Sequence, residues 1–253
     1  MLTAAAVCPH PPLLIPAAFG AAAGDPPPAL CAVRDACDAS VHALAAAEPD
    51  LIAVVGGGPA DREYGATAAG SLSEFGVPVT VGEGEPVLPL SLTVGRWLLG
   101  RAGAGAGARA PGHGPQVLLQ AVDQRASADD CLKLGSAIAE RAPRVALLAM
   151  GDASARRARG TEGGPDRPAE DYDDAVAEAL AAADARWLAR LDPALDGELL
   201  VAGRAAWQVL AGAAAGARMC GRLRCMASPY GVTYLVASWE EPQAHALKPC
   251  QNV

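Results

Sequence analysis

Four histidines limit what this chain can do by proton transfer or metal ligation, and one of them, His10, stands out by its surroundings. The run Leu2-Thr3-Ala4-Ala5-Ala6-Val7-Cys8 reads as a buried strand, and Pro9-His10-Pro11-Pro12 ends it, because proline fixes φ and removes the amide donor. An imidazole at a strand end can accept a proton, donate one, or ligate a metal. It can equally cap the strand end through a backbone hydrogen bond. Two more apolar runs end in polar or glycine-rich loops: Gly56-Gly57-Gly58-Pro59, and Gly151-Asp152-Ala153-Ser154-Ala155 followed by Arg156 and Arg157. If the three strands are parallel neighbours, their loops converge on one sheet edge, where open α/β sheets bind ligands.

Each candidate has a chemical role and a structural one. Asp152 and Ser154 could orient a substrate, or cap the turn in which they lie. Arg156, Arg157 and Arg159 could bind a carboxylate or phosphate by forked hydrogen bonds, or be solvated. Gly57 and Gly58 would line a ligand site, or mark a turn from which bulk is excluded. The glycines lack the spacing of a nucleotide-binding loop. Glu240 or Glu241, paired with His10, would supply oxygen and nitrogen donors suited to Fe(II), Mn(II) or Zn(II). His42 reads as a helix residue, His113 lies in a Gly-rich segment and His245 in the C-terminal tail. Cys8, two residues from His10, reads as a buried thiol rather than a nucleophile.

The elements that would position these groups follow from periodicity. Residues 2–8 and 51–56 read as strands, with Leu30, Val33, Cys37, Val41 and Leu44 at helical spacing between them. Further strands are expected at 77–81, 116–122 and 145–150, and helices at 90–99 and 128–140. Residues 160–170 read as a loop and 172–215 as helical, with Asp192-Pro193 starting one helix and Gly203 breaking the run. Residues 222–228 and 232–238 read as a hairpin that exits through Trp239-Glu240-Glu241. The expected fold is α/β, a single domain over 1–253 with a central, mostly parallel sheet flanked by helices. A mobile Gly/Ala-rich loop is expected near 101–114.

A net charge of −8 argues against a nucleic-acid surface, and no apolar run is long enough to span a bilayer. The N-terminus lacks a charged n-region, so a cytoplasmic location is expected. Seven cysteines without a CxxC pair suggest neither a zinc ribbon nor a disulfide framework.

Several of these segments resemble a known family. The approach to Cys8-Pro9-His10-Pro11-Pro12-Leu13-Leu14-Ile15-Pro16, the strand before Gly151-Asp152-Ala153-Ser154, and Pro229-Tyr230-Gly231-Val232 through Trp239 look like class III extradiol ring-cleavage dioxygenases, catalytic-subunit type. The stretch from Asp173-Asp174-Ala175-Val176 to Leu195, with Gly203-Arg204-Ala205-Ala206-Trp207-Gln208-Val209-Leu210, is similar to an Ala-rich, uncharacterised branch of that superfamily. The resemblance implies Fe(II) held by two histidines and a glutamate, with a further histidine as acid/base. His10 matches the first ligand, and the glutamate would be Glu240 or Glu241. Gly57-Gly58-Pro59 stands where the second histidine is expected, and Ala155 where the acid/base histidine is expected.

The expectation is therefore a dioxygenase-like protein whose strand-end cleft binds a small aromatic or carboxylated molecule, without ordinary ring cleavage. A non-catalytic partner or regulatory subunit, or a homo-oligomer on the same fold, is the alternative.

Overall fold

A computed structural model describes residues 1–20, 26–103, 114–157 and 166–242. The Gly/Ala-rich loop at 104–113, most of the expected loop at 160–170, Arg159, His113 and His245 lie outside the described residues.

Apolar runs bounded by Pro or Gly form the strands at the centre of the molecule. In chain order the elements are β1 (Leu2–Cys8), α1 (Pro28–Ala46), β2 (Leu51–Gly58), β3 (Arg62–Tyr64), β4 (Ala68–Ser71), β5 (Thr80–Val81), β6 (Glu83–Pro86), α2 (Leu90–Arg101), β7 (Gln116–Asp123), α3 (Ala128–Ala139) and β8 (Val145–Met150). They continue with α4 (Arg167–Ala182), α5 (Ala185–Leu188), α6 (Pro193–Leu199), α7 (Arg204–Ala213), β9 (Cys220–Ala227) and β10 (Tyr234–Glu240).

Seven strands form one sheet in the order β3-β7-β2-β8-β1-β10-β9. β7, β2, β8 and β1 are mutually parallel, β3 at one side and β10 at the other run antiparallel to them, and β9 returns antiparallel to β10. The sheet is thus parallel at its centre and mixed overall. A second, three-stranded sheet of order β5-β4-β6 lies beside it.

Side chains on a strand alternate between faces, so each continuous apolar run supplies two cores. Leu2, Ala5 and Val7 of β1 join the core covered by α3, α4 and α7; Ala4, Ala6 and Cys8 join the one covered by α1 and α2. On the first side α3 and α7 cross closely enough that their backbones touch. A Cβ on Gly135 would overlap the Val209 carbonyl, and one on Gly212 the Leu132 carbonyl.

Three expectations need correction. Residues 77–81 are strand only at Thr80–Val81, part of a small sheet that no periodic pattern announces. Helix α4 begins at Arg167, inside the expected loop, because Pro168 occupies the first turn, where its missing N–H costs nothing. The helical stretch 172–215 is several helices, divided where Ala183 and Leu200 adopt left-handed conformations at φ of 51° and 55°. Asp192 caps α6 and Gly203 precedes α7, as the sequence predicts.

Because the α3–α7 contact is backbone on backbone, Gly135→Leu should lower stability by about 2–3 kcal/mol or more in urea unfolding; a loss under ~0.5 kcal/mol would show that the helices can separate freely. A second prediction concerns Cys131, whose burial raises the thiol from an ordinary value of 9.0 to about 11. The unfolded thiol ionises first, so this contribution is complete below pH 9 and lost as pH rises through 11. The alkaline fall in unfolding midpoint should be shallower in Cys131→Ala than in wild type.

Candidate functional site

The topology brings together the three loops whose convergence the sequence suggests. β2, β8 and β1 are adjacent and parallel, so Gly58, Met150 and Cys8 all end at the same sheet edge. The hairpin adds Thr233 and Tyr234 there, since β10 enters antiparallel to β1 at that edge.

His10 lies just past β1 with its side chain only 8% exposed. Its backbone N–H donates to Asp152 Oδ1 at 2.8 Å, and its Nδ1 lies 3.7 Å from the same oxygen. Among the described residues that Nδ1 is buried with no hydrogen-bond partner. Among the described residues no hydrogen bond reaches Nε2 or Asp152 Oδ2 either. Tyr234 is buried beside this pair; burial raises its phenol, and the Asp152 charge raises it further. The edge therefore carries an imidazole and a carboxylate with hydrogen-bonding capacity left unspent, beside a buried phenol.

A second carboxylate, Asp173 of α4, holds the loop that carries Asp152. Its side chain has no exposed surface. Asp173 Oδ1 accepts the Ser154 N–H at 2.9 Å, while Oδ2 accepts the Ser154 hydroxyl at 2.8 Å and the Thr233 hydroxyl at 2.5 Å. Arg157 Nη1 stands 3.6 Å from Oδ2. Backbone bonds Ala153 N–H to Thr233 O and Thr233 N–H to Ser154 O extend the pairing from the loop to the hairpin. Sequence reasoning missed Asp173 as a site residue, although a signal was present. Ala169, Tyr172, Asp173, Val176, Ala177 and Leu180 form one buried helical stripe, and an acid in such a stripe needs partners.

Other candidates fall elsewhere or are occupied. Ser154 is fully buried and bonded to Asp173, so its role is to fix the loop rather than to meet a ligand. Arg157 faces Glu170, Asp173 and Asp174, and Arg156 bonds the Glu198 carbonyl and lies 3.5 Å from Asp166. Neither guanidinium is free to bind a carboxylate substrate. Gly57 and Gly58 do reach the edge, but a Cβ at Gly57 would stand 2.9 Å from the Gln124 side chain and one at Gly58 2.9 Å from Ala121. They mark excluded bulk. His42 is exposed on α1, with Nδ1 2.7 Å from the Asp38 carbonyl oxygen, and Cys8 is buried in the core.

Glu240 and Glu241 require the largest correction. Glu240 pairs with Ala4, and the Glu241 N–H bonds the Thr3 carbonyl. Both are at the opposite edge, about 20 Å along β1 from His10 at ~3.3 Å per residue. A strand that enters antiparallel at the His10 edge must leave at the other. The Fe(II) implied by the family resemblance therefore does not fit this donor set. Among the described residues no three His, Cys, Asp or Glu side chains converge in a way that could hold a metal ion.

No family model matches the chain, and no curated protein matches it. Among solved structures it is similar to the crystal structure of the uncharacterized protein JW3007 from Escherichia coli K12. The identity is 14%, over 94% of this chain and 99% of that one, with a TM-score of 0.53. A likeness at that identity shows the α/β fold and says nothing of the chemistry.

The Asp173 cluster yields a direct test. Asp173→Ala would strand two hydroxyls, an amide and a nearby guanidinium, so stability should fall by roughly 3 kcal/mol or more in denaturant unfolding. A loss below about 1 kcal/mol would mean that water replaces the carboxylate.

Proposed function

We propose that this chain binds a small hydroxylated aromatic molecule at the edge formed by His10, Asp152 and Tyr234, and that it does so without iron-dependent ring cleavage. The observation that carries this reading is the His10–Asp152 pair: a side chain more than nine-tenths buried, a carboxylate oxygen 3.7 Å from Nδ1, and no hydrogen-bond partner for that Nδ1 among the described residues. A phenolic hydroxyl can donate to the imidazole or to Asp152 Oδ2 and accept from a protonated ring, and the buried Tyr234 ring stands behind the pair. Recognition of a substrate carboxylate has little support, since Arg156 and Arg157 are engaged by Asp166, Glu170, Asp173 and Asp174.

The resemblance to extradiol dioxygenases favours a catechol-like ligand. Against cleavage stand the positions of Glu240 and Glu241 and the fit of Gly57 and Gly58 against their neighbours. In this reading His10 holds or passes a proton at a ring nitrogen, and Asp152 fixes the backbone that presents it.

Equilibrium dialysis with catechol, 3,4-dihydroxybenzoate and benzoate tests the reading. Catechol should bind saturably, His10→Ala should weaken it about tenfold or more, and the part of dihydroxybenzoate binding that His10→Ala removes should be absent for benzoate. Catechol binding that is absent, or unchanged in His10→Ala, would overturn the assignment of the site. A yellow ring-opened product after anaerobic Fe(II) loading would overturn the exclusion of cleavage.

A further inference from the structure

The structure assigns a second ligand site, independent of His10, to a cleft at the opposite edge of the sheet, and the chemistry that fits it is a small aromatic anion held by Arg96 and Trp97. The cleft has a volume of about 1060 Å³ and lies between α2, the small sheet and the first residues of β7. That is near the upper end of ordinary small-molecule pockets, which run to roughly 1,000 Å³. Val81 and Val117 supply apolar wall, and Thr67, Gln116 and one acid, Glu83, also line it.

Two arginines line it, and they differ in how their charge is met. Arg101 makes a forked pair with Asp38, at 3.1 and 2.6 Å, and lays its guanidinium over the Trp97 ring, 5.0 Å from the centroid. Its charge is neutralised, and the contact stiffens one face of the indole. Arg96 has a single hydrogen bond, from Nη1 to the Ala66 carbonyl. Among the described residues no carboxylate lies within ion-pair distance of it. Burial lowers the Arg96 pKa, and Glu83 opposes that only in part. A partly desolvated guanidinium with four N–H donors unspent favours an anion that can accept a forked pair.

The shape and charge decide the class of that anion. The protein carries a net charge of −8, so polyanions are repelled as a whole, whereas a monoanion can be held by one local cation. The indole offers a flat stacking surface beside the charge. A carboxylate on a one- or two-ring aromatic body satisfies both, with the acid at Arg96 and the ring against Trp97.

Titration of the full chain with 1-naphthoate, followed by calorimetry and tryptophan fluorescence, tests the assignment. Binding should be saturable and should weaken about tenfold or more for neutral 1-naphthamide and for Arg96→Gln, whose amide can still bond the Ala66 carbonyl. Trp97→Leu should also weaken it, while His10→Ala should leave it unchanged. No saturable binding, equal binding of the amide, or an unchanged constant in Arg96→Gln would each overturn the site. Loss of binding in His10→Ala would place the ligand at the other edge and overturn it as well.

Discussion

A buried carboxylate that accepts three hydrogen bonds organises the His10 edge. Asp173 accepts from the Ser154 amide, the Ser154 hydroxyl and the Thr233 hydroxyl, with Arg157 close by. An unpaired charge at that depth would cost several kcal/mol, so the fold must keep all of these groups in place together. α4, the loop after β8 and the entry to β10 are thereby fixed to one another. Asp152 sits two residues before Ser154 on the same loop, and it in turn receives the His10 N–H. The position of the imidazole is thus set from a helix remote in sequence.

The sheet's polarity decides which residues can share chemistry. Parallel neighbours β2, β8 and β1 bring three carboxyl ends to one edge, and the antiparallel hairpin adds its entry but never its exit. That rule assembles His10, Asp152 and Tyr234 and excludes Glu240 and Glu241. It also separates the Arg96–Trp97 cleft, beside the first residues of β7, from the His10 edge. Each edge has a different charge character: carboxylates and an imidazole at one, a guanidinium without a close ion pair among the described residues at the other.

Much of the architecture was legible because its central strands are short apolar runs ending at Pro or Gly, and such runs admit few alternatives once they alternate with helices. His10, Asp152 and the convergence of their loops followed from that pattern alone. The start of α4 did not, since a proline in a first turn and a proline in a loop look the same in sequence. Glu240 was misplaced because its position depends on strand direction, a property of pairing rather than of composition. Arg156 and Arg157 were misassigned for a similar reason: their acidic partners become neighbours only when α4 packs against the loop. Asp173 was readable in principle, as the one acid within an apolar stripe.

On the proposed function His10 is a ligand-facing imidazole rather than part of an iron site, and its side-chain nitrogen resonances report on this directly. In a ¹⁵N-labelled protein, stepwise addition of catechol without metal should shift the His10 signals saturably, and one equivalent of Zn(II) should leave them in place. A His10 nitrogen that moves to a metal-bound position with stoichiometric Zn(II), and responds to catechol only after that, would make His10 a metal ligand instead.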